Sequence, residues 1–393
     1  FKMGVYDRAV KDYTRALEER VQESLTIPYA ICTPQARVGI YLAIQAGIPE
    51  GSEVILSPNT IADVINMVIC AGAKPVFCDI DPRTGNLDYR LIEDLITPHT
   101  AGIMVTHLYG LVAPMDEICA IAKKHNLLVI EDAAQAFGAR QNGVLAGSLG
   151  DIGIFSFGMA KNVMAFFGGM VVTKHKKIEI KIRDSISKYP TISSSKLRNK
   201  AFSCLIKDIA TINIVFARVM FPVFRFGYKK NISRITKLIE SELDLTRKLA
   251  FPNTYKERLS ATQASIILGK LPMVDRDYHH RLKCALIYHN GLKDIPELLL
   301  PPMHSDGSHV YNYYPIGYQK RHDLRLFLMH HRRDIALQHI KNTADLPAFK
   351  EFYRDCPHSR EWASNTIMMP NYPKYNLAEV EKNVKIIRKF FGN

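Results

Sequence analysis

The sequence has 393 residues, 47% of them hydrophobic, which is enough for a large buried core in one or two domains. Its formal net charge is +14, and residues 174–248 hold 18 Lys and Arg against 6 Asp and Glu, which accounts for +12. Seven cysteines without a CxxC pair, no recognisable signal peptide and no apolar run of about 18 residues favour a cytoplasmic protein without a disulfide framework, a metal site or a membrane span.

Residues 30–175 alternate short apolar runs with helical periodicity. Strands are predicted for the apolar runs at 53–57, 74–79, 102–107 and 127–132, and helices for the periodic stretches near 60–71, 87–96 and 114–125. Strands that are apolar on both faces and joined by helices are typical of a mostly parallel sheet sandwiched by helices. We therefore predict a large α/β domain over residues 1–182.

Residues 183–254 interrupt this pattern with a basic, amphipathic segment. Apolar residues between Phe202 and Met220 recur at three- and four-residue steps, which predicts a helix that ends at Pro222. A wide apolar face with cationic flanks is typical of a helix lying in an anionic membrane surface, here through residues 200–237. The candidate membrane-facing residues are Phe202, Ile209, Phe216, Arg218, Arg225, Lys229 and Lys230.

Two alternatives to membrane binding remain open for this helix. It could pack on the protein's own body or across a dimer, with its lysines facing water. Nucleic acid is an unlikely partner, because the segment lacks interleaved aromatic and basic residues. From residue 255 onward, a helix in "SATQASIILGKL", a strand at 309–317 and a closing helix at 376–391 predict a smaller C-terminal αβ domain over 255–393.

Asp132, Ser156 and Lys161 form the candidate site. Asp132 ends a predicted buried strand, where ligands bind in parallel sheets, and "GDIGIFSFGMAKN" brings Ser156 and Lys161 24 and 29 residues later. A lysine just past a buried strand is partly desolvated, which lowers its pKa and makes it a nucleophile able to form a Schiff base. Pyridoxal phosphate (PLP) needs such a lysine, an anionic partner for its ring nitrogen and a cradle for its phosphate.

Ordinary structural roles are the alternative for these residues. An aspartate at a strand end is often a helix cap, and a single lysine is often solvated. His107 could equally be a neighbour of the cofactor ring or a hydrogen-bonded histidine at a strand end.

Several motifs together resemble the DegT/DnrJ/EryC1/StrS sugar aminotransferases, which are PLP enzymes of fold type I. They are "VIEDAAQAFGA", "GDIGIFSF", "KN", "GGMVVT", "GAKPVFCDID", "HLYG" and "RLSATQASIILGKL". The resemblance covers residues 30–182 and, more loosely, 255–393. It implies that Lys161 holds PLP and moves a proton between the cofactor and the substrate carbon. It also implies that Asp132 pairs with the ring nitrogen, Gln135 lies against the ring and Ser156 binds the phosphate.

The sequence departs from the family pattern at three places. Pro34, Gln35 and Ala36 stand where the family has a Ser-Gly-Thr phosphate cradle, so backbone amides at Gln35 and Ala36 are predicted to bind the phosphate, with Arg37 adding charge. Asn59 stands where an aromatic residue commonly stacks on the ring. The loop "KNVMAFFGGM" lacks the usual glycine and acidic residue.

The resemblance implies amino transfer from glutamate to a keto group of a nucleotide-linked or lipid-linked sugar. Lysine at 161, where a dehydratase branch has histidine, favours transamination. A homodimer with shared active sites is expected, in which residues 253–260 reach the partner's phosphate site. The alternatives are a non-catalytic membrane-associated or regulatory relative, and an aminotransferase for a non-sugar ketone. The expected location is the cytoplasm, with possible peripheral attachment to the inner face of the membrane.

Overall fold

The structure is a computed structural model that describes residues 3–210, 212, 215–230, 232, 245–333, 335–337 and 340–392. The side chains of residues 3–7, 207, 217, 228, 229 and 337 are outside this description. The helices are α1 Met3–Leu25, α2 Ala36–Gly47, α3 Ala62–Cys70, α4 Met115–His125, α5 Lys176–Ser187, α6 Ser194–Ala210, α7 Phe221–Lys229, α8 Ala261–Lys270, α9 Val274–Leu292, α10 Arg321–His330, α11 Pro357–Asn365 and α12 Leu377–Phe390.

The strands form one large sheet and three small ones within the described residues. They are β1 Tyr29–Thr33, β2 Glu53–Leu56, β3 Asn59–Thr60, β4 Lys74–Phe77, β5 Thr100–Thr106, β6 Leu128–Asp132, β7 Arg140–Gln141, β8 Val144–Leu145, β9 Ile152–Ser156, β10 Gly169–Thr173, β11 Tyr314–Gly317, β12 Ala336–Leu337, β13 Lys341–Asn342 and β14 Thr366–Met369.

The large sheet has the strand order β1-β10-β9-β6-β5-β2-β4 in this part of the chain. Strand β10 alone runs against the others, and the four pairings from β9 to β4 are parallel. Along β5, Ile103 and Val105 point into one apolar cluster and Met104 into the other. Both faces are therefore buried, and the predicted mostly parallel sheet sandwiched by helices is confirmed.

Each face of the sheet has its own layer of helices. Helices α1, α4 and α8 cover one face through residues such as Leu17, Ile118 and Ile267, all of which are buried. Helices α2, α3 and α5 cover the other. The carboxyl ends of β5, β6 and β9 lie together, because Thr106 pairs with Asp132 and Asp132 with Ile154.

The C-terminal domain packs around the three-stranded sheet β11-β14-β12 and helices α9, α10 and α12. Its apolar core draws on residues 284–387. Helix α8 packs with α1 against the large sheet, and not with the C-terminal domain. The predicted domain boundary near residue 255 therefore lies before a helix that packs with the large domain. The division into 1–182, 183–254 and 255–393 stays a prediction.

Two predicted elements are shorter in the structure than expected. Residues 87–96 form two 3₁₀ turns, Tyr89–Leu91 and Glu93–Leu95, because the Asp88 carboxylate accepts the Arg90 N–H at 3.1 Å and caps a tight turn. In the segment 309–317 only β11 is a strand, and His309 makes an isolated bridge to Leu111.

The basic segment contains α6, a π-helical turn at Phe216–Met220 and α7. The prediction that a helix ends at Pro222 is wrong, because Pro222 is the second residue of α7. The π-helical turn runs directly into α7, so the missing N–H of Pro222 falls where the hydrogen-bond ladder of the helix is already irregular. Residues 233–237 of the predicted membrane segment lie outside the described residues.

The segment turns its apolar stripe to solvent instead of into the protein. Phe202 is 63% exposed and Ile209 is 49% exposed. Further stripe residues that are about half exposed or more are Leu205, Ile206, Ile212, Val219 and Phe226. Packing on the protein's own body, one of the two alternatives to membrane binding, therefore does not account for this stripe.

The other candidate membrane residues divide between solvent and interior. Arg218 and Lys230 are exposed. Phe216 is half-buried against Phe221 and Phe224, and its assignment to a membrane face stays a prediction. Arg225 is half-buried, with a guanidinium nitrogen 3.2 Å from His330 Nδ1, and the Lys229 side chain lies outside the description.

Candidate active site

Asp132 lies at the carboxyl end of β6 and is only 6% exposed. Its Oδ1 accepts the Ala134 N–H at 3.1 Å. Burial raises the pKa of this carboxyl, while the Ala134 N–H and the nearby charge of Lys161 act in the opposite direction. A carboxylate held in this way is stabilised by a cation placed against it.

Lys161 lies in the loop that joins β9 to β10, and its amine is electrostatically coupled to Asp132. Burial lowers the pKa of the ammonium; the charge of Asp132 raises it and repulsion by Arg37 lowers it further. The neutral, nucleophilic amine is therefore more populated near neutral pH than in a solvated lysine. The mutual effect of the two charges indicates that Lys161 and Asp132 lie near each other, and their roles at a cofactor stay predictions.

The loop of Lys161 is held by hydrogen bonds from the helical layer and from the C-terminal domain. Lys270 donates to the Met164 carbonyl at 2.7 Å, and Gln263 Nε2 donates to the Phe167 carbonyl at 2.7 Å. Asn312 Nδ2 lies 3.4 Å from the Ala160 carbonyl, immediately before Lys161. These contacts limit where the lysine side chain can reach.

The predicted phosphate cradle is assembled around Gly169. This residue pairs with Thr33 on one side and with Ser156 on the other. A Cβ at Gly169 would lie 2.5 Å from the Ala36 nitrogen, so only glycine lets β10 approach the start of α2. Ser156 and Ala36 are therefore neighbours, as the cradle requires.

The first turn of α2 offers its amides to an anion. The side chain of Gln35, the N-cap, makes no capping hydrogen bond, and first-turn N–H groups have no partner within a helix. Ser156 Oγ accepts the Gly158 N–H at 3.3 Å and can still donate. Amides at the positive end of a helix together with a hydroxyl fit a phosphate group.

Gln135 is fixed by the turn that follows β5. Its Oε1 accepts the Tyr109 N–H at 3.0 Å, and Tyr109 Oη accepts the Trp362 indole N–H at 3.1 Å. Tyr109 has a left-handed backbone conformation with a φ of 57°, which costs free energy and persists because these contacts hold it. Tyr109 belongs to the motif "HLYG", to which the sequence assigned no role, and sequence patterns gave no signal for Trp362, which is distant from both residues along the chain.

Glu131 and His107 form a buried structural pair behind the site. The His107 Nδ1 accepts the Ala113 N–H at 3.2 Å, so its Nε2 carries the proton and donates to Glu131 at 2.9 Å. Glu131 also accepts the N–H groups of Gly147 at 2.7 Å and Gly150 at 2.6 Å. His107 is thus the hydrogen-bonded histidine of the two alternatives, and Glu131 serves this structural pair.

Asn59 is a buried residue of β3. Its side chain is 1% exposed, its Nδ2 donates to the Gly85 carbonyl at 3.3 Å, and its backbone pairs with Asn342. The residue thus joins β3 to the C-terminal part of the chain, and its contact with a cofactor stays a prediction.

Arg37 is engaged by a carboxylate and does not stand free for the phosphate as predicted. Its guanidinium forms an ion pair with Asp63, which also accepts from Tyr255 Oη at 2.9 Å and pairs with Lys248 at 2.7 Å. The segment 253–260, expected near a partner's phosphate, contributes Tyr255 to this network. Ser260 caps α8 with a reciprocal Gln263 contact.

These contacts bring a partly desolvated lysine, a buried acid and an anion cradle to one edge of a mostly parallel sheet. This combination defines the site of a fold type I PLP-dependent enzyme, and the residues present fit that cofactor. Residues 8–388 match the model of the DegT/DnrJ/EryC1/StrS aminotransferase family. The chain belongs to this family, and it is therefore a PLP-dependent aminotransferase.

Relatives with curated names include enzymes of nucleotide-linked sugars and a regulatory protein. The chain is 30% identical over 383 residues to a UDP-N-acetyl-3-dehydro-alpha-D-glucosamine 3-aminotransferase of Acidithiobacillus ferrooxidans, covering 95% of this chain and 88% of that one. It is 45% identical over 158 residues to a GDP-perosamine synthase of Caulobacter vibrioides, covering 40% and 43%. It is 29% identical to a pleiotropic regulatory protein of Geobacillus stearothermophilus, covering 97% and 90%.

Solved structures share the fold. DesV of S. venezuelae, determined in complex with a ketimine intermediate, superposes with a TM-score of 0.75 at 22% identity, covering 98% of this chain and 94% of that one. An aminotransferase of Psychrobacter cryohalolentis gives 0.76 at 23% identity, covering 97% and 91%. At these identities the likeness establishes the architecture.

Proposed function

We propose that the protein transfers an amino group from glutamate to the keto carbon of a sugar that is linked to a nucleotide or to a lipid. The observation that carries this proposal is the placement of the half-buried Lys161 near the buried Asp132 at the carboxyl ends of β6 and β9. PLP, when bound, supplies an electron sink for amino transfer. The names of the relatives include two nucleotide-linked sugars, which supports a sugar as acceptor.

Each residue of the site has a defined task in this proposal. The Lys161 amine holds the cofactor and then carries a proton to and from the substrate carbon, for which its lowered pKa suits it. The Asp132 carboxylate keeps the ring nitrogen protonated. The Gln135 amide, fixed by Tyr109, faces the ring, while Ser156 and the first amides of α2 bind the phosphate.

A half-reaction assay tests the acceptor. The protein is loaded with pyridoxamine phosphate and mixed with nucleotide-linked keto sugars, a lipid-linked keto sugar and simple ketones, and products are measured by mass spectrometry. We expect an amino sugar from at least one sugar-linked ketone, because amination needs only the pre-loaded amino group and the proton carried by Lys161.

Two other outcomes would replace this proposal. Amination of simple ketones alone would favour the non-sugar alternative. A protein that never takes up PLP would favour a regulatory role, which the similarity to the pleiotropic regulatory protein supports. We also propose a homodimer with shared active sites; a monomer in sedimentation velocity would contradict it.

We propose in addition that the protein attaches to an anionic membrane surface through the stripe between Phe202 and Phe226. The support is the solvent exposure of this apolar stripe and the excess of 12 positive charges in residues 174–248. Within the described ranges no helix is both long and apolar enough to cross a bilayer. Attachment would therefore be peripheral.

Liposome flotation tests this attachment. We expect wild type to float with vesicles of anionic lipid and not with neutral ones, and the F202E/I209E variant to bind at least about tenfold more weakly, since each exposed side chain would bury apolar area in the lipid. The matched control is Ile180→Glu, at a residue of α5 that is 53% exposed and lies outside the stripe. No flotation at low salt would contradict the proposal, and a change of oligomeric state in F202E/I209E would assign the stripe to a second copy.

A further inference from the structure

Lys200 of helix α6 lies against the loop that carries Lys161. Its Nζ is 3.3 Å from the centroid of the Phe167 ring, and the side chain is half-buried. An ammonium over an aromatic face is held electrostatically while it keeps its charge. The basic segment therefore reaches back to the candidate active site through this residue.

Phe167 belongs to the loop that leads into β10, next to the predicted phosphate cradle. It lies two residues before Gly169, which packs on the Ala36 nitrogen at the start of α2 and pairs with Ser156. The Phe167 carbonyl is fixed by Gln263 at 2.7 Å, so the ring has little freedom to move away. Arg37, in the first turn of α2, repels the Lys200 ammonium, so this ammonium and the start of α2 are close enough to interact electrostatically.

The charges around Lys200 leave it without a carboxylate partner in the described part of the chain. Lys196, one turn earlier on α6, is paired with Glu257 at 2.7 Å, and Arg37 is paired with Asp63. Burial lowers the pKa of Lys200, and repulsion by Lys196 and by Arg37 lowers it further, against the pull of Glu257. An anion bound here would relieve both the burial cost and the repulsion.

We propose that Lys200 binds the phosphate of PLP. Its positive charge would compensate for the Ser-Gly-Thr cradle that the family has at this place and that this sequence lacks. The residues that stand at the cradle position, Pro34, Gln35 and Ala36, have no hydroxyl, and Arg37 is engaged elsewhere. A cation on the inner face of α6 compensates for this loss. The proposal rests on the proposed function, since it assumes that PLP is the ligand.

Titration of the cofactor-free protein with PLP and with pyridoxal, which lacks the phosphate, tests this role. Binding is followed by visible absorbance. We expect Lys200→Gln to raise the Kd for PLP about tenfold, as the loss of a charged hydrogen bond implies, and to leave the Kd for pyridoxal unchanged. Lys200→Arg should retain most of the PLP affinity. The matched control, Arg198→Gln, removes an exposed cation of the same helix and should change neither Kd.

The other possible results distinguish a failure of the Lys200 proposal from a failure of the proposed function. Wild-type PLP affinity in Lys200→Gln would overturn the proposal, and so would an equal loss of affinity for PLP and pyridoxal, because that would show a purely structural role. A wild-type protein that binds pyridoxal and PLP equally would also overturn it. Wild type that binds neither compound would overturn the proposed function itself.

Discussion

Lys161→Ala is expected to lose the visible absorbance of bound cofactor and to lower the rate of transamination by about 10³-fold or more, because one residue supplies both the covalent attachment and the proton transfer. Absorbance spectra of dialysed protein and the half-reaction with glutamate measure the two effects. Both effects follow from the half-buried amine of Lys161. Burial lowers its pKa, and its charge interacts with the Asp132 carboxylate.

Lys188→Ala is the control for this prediction. Its ammonium is exposed and paired with Asp184 at 2.6 Å on the surface, so its removal should leave both measurements unchanged. Retention of the absorbance in Lys161→Ala would assign the attachment to another amine and contradict the prediction. A retained absorbance without activity in Lys161→Arg would contradict it equally, because a guanidinium does not form the covalent bond.

Substitution of the adjacent carboxylates Glu131 and Asp132 is expected to have different effects: the first on the free energy of unfolding, the second on the rate of transamination. Glu131→Leu should lower the free energy of unfolding by about 3–5 kcal/mol, because it leaves His107 and the N–H groups of Gly147 and Gly150 buried without their acceptor. Urea unfolding of the cofactor-free protein measures this loss.

Asp132→Asn is the matched variant for that experiment. Burial already raises the pKa of Asp132, so the cofactor-free protein should lose little stability when the charge is removed. Transamination should instead fall by about 10²-fold or more, because a neutral amide cannot hold a proton on the ring nitrogen. Equal loss of stability in the two variants would contradict the division of roles.

The sheet and the centre of the site could be predicted because their signals are local. Four apolar runs and the helices between them indicated a buried parallel sheet, and a carboxylate at a strand tip indicated the ligand edge. The spacing of Asp132, Ser156 and Lys161, together with the family resemblance, indicated the cofactor. These features depend on neighbours within about thirty residues.

The remaining parts of the site depend on contacts between distant segments. Trp362 reaches Tyr109 across 253 residues, and Tyr255 reaches Asp63 across 192, so neither contact leaves a periodic trace in the sequence. Residues 87–96 have a helical pattern, yet the local capping by Asp88 favours 3₁₀ turns. Pro222 predicted an end where the structure has the start of α7.

Trp362 is the sole tryptophan of the sequence, it is 7% exposed, and its indole N–H is donated to Tyr109. The tryptophan fluorescence of the protein therefore comes from a single buried side chain, next to the turn that fixes Gln135. Shifts in that emission would follow rearrangements of the turn in the unlabelled wild-type chain. The sole tryptophan therefore reports on this turn, and a ligand that moves the turn would change its fluorescence.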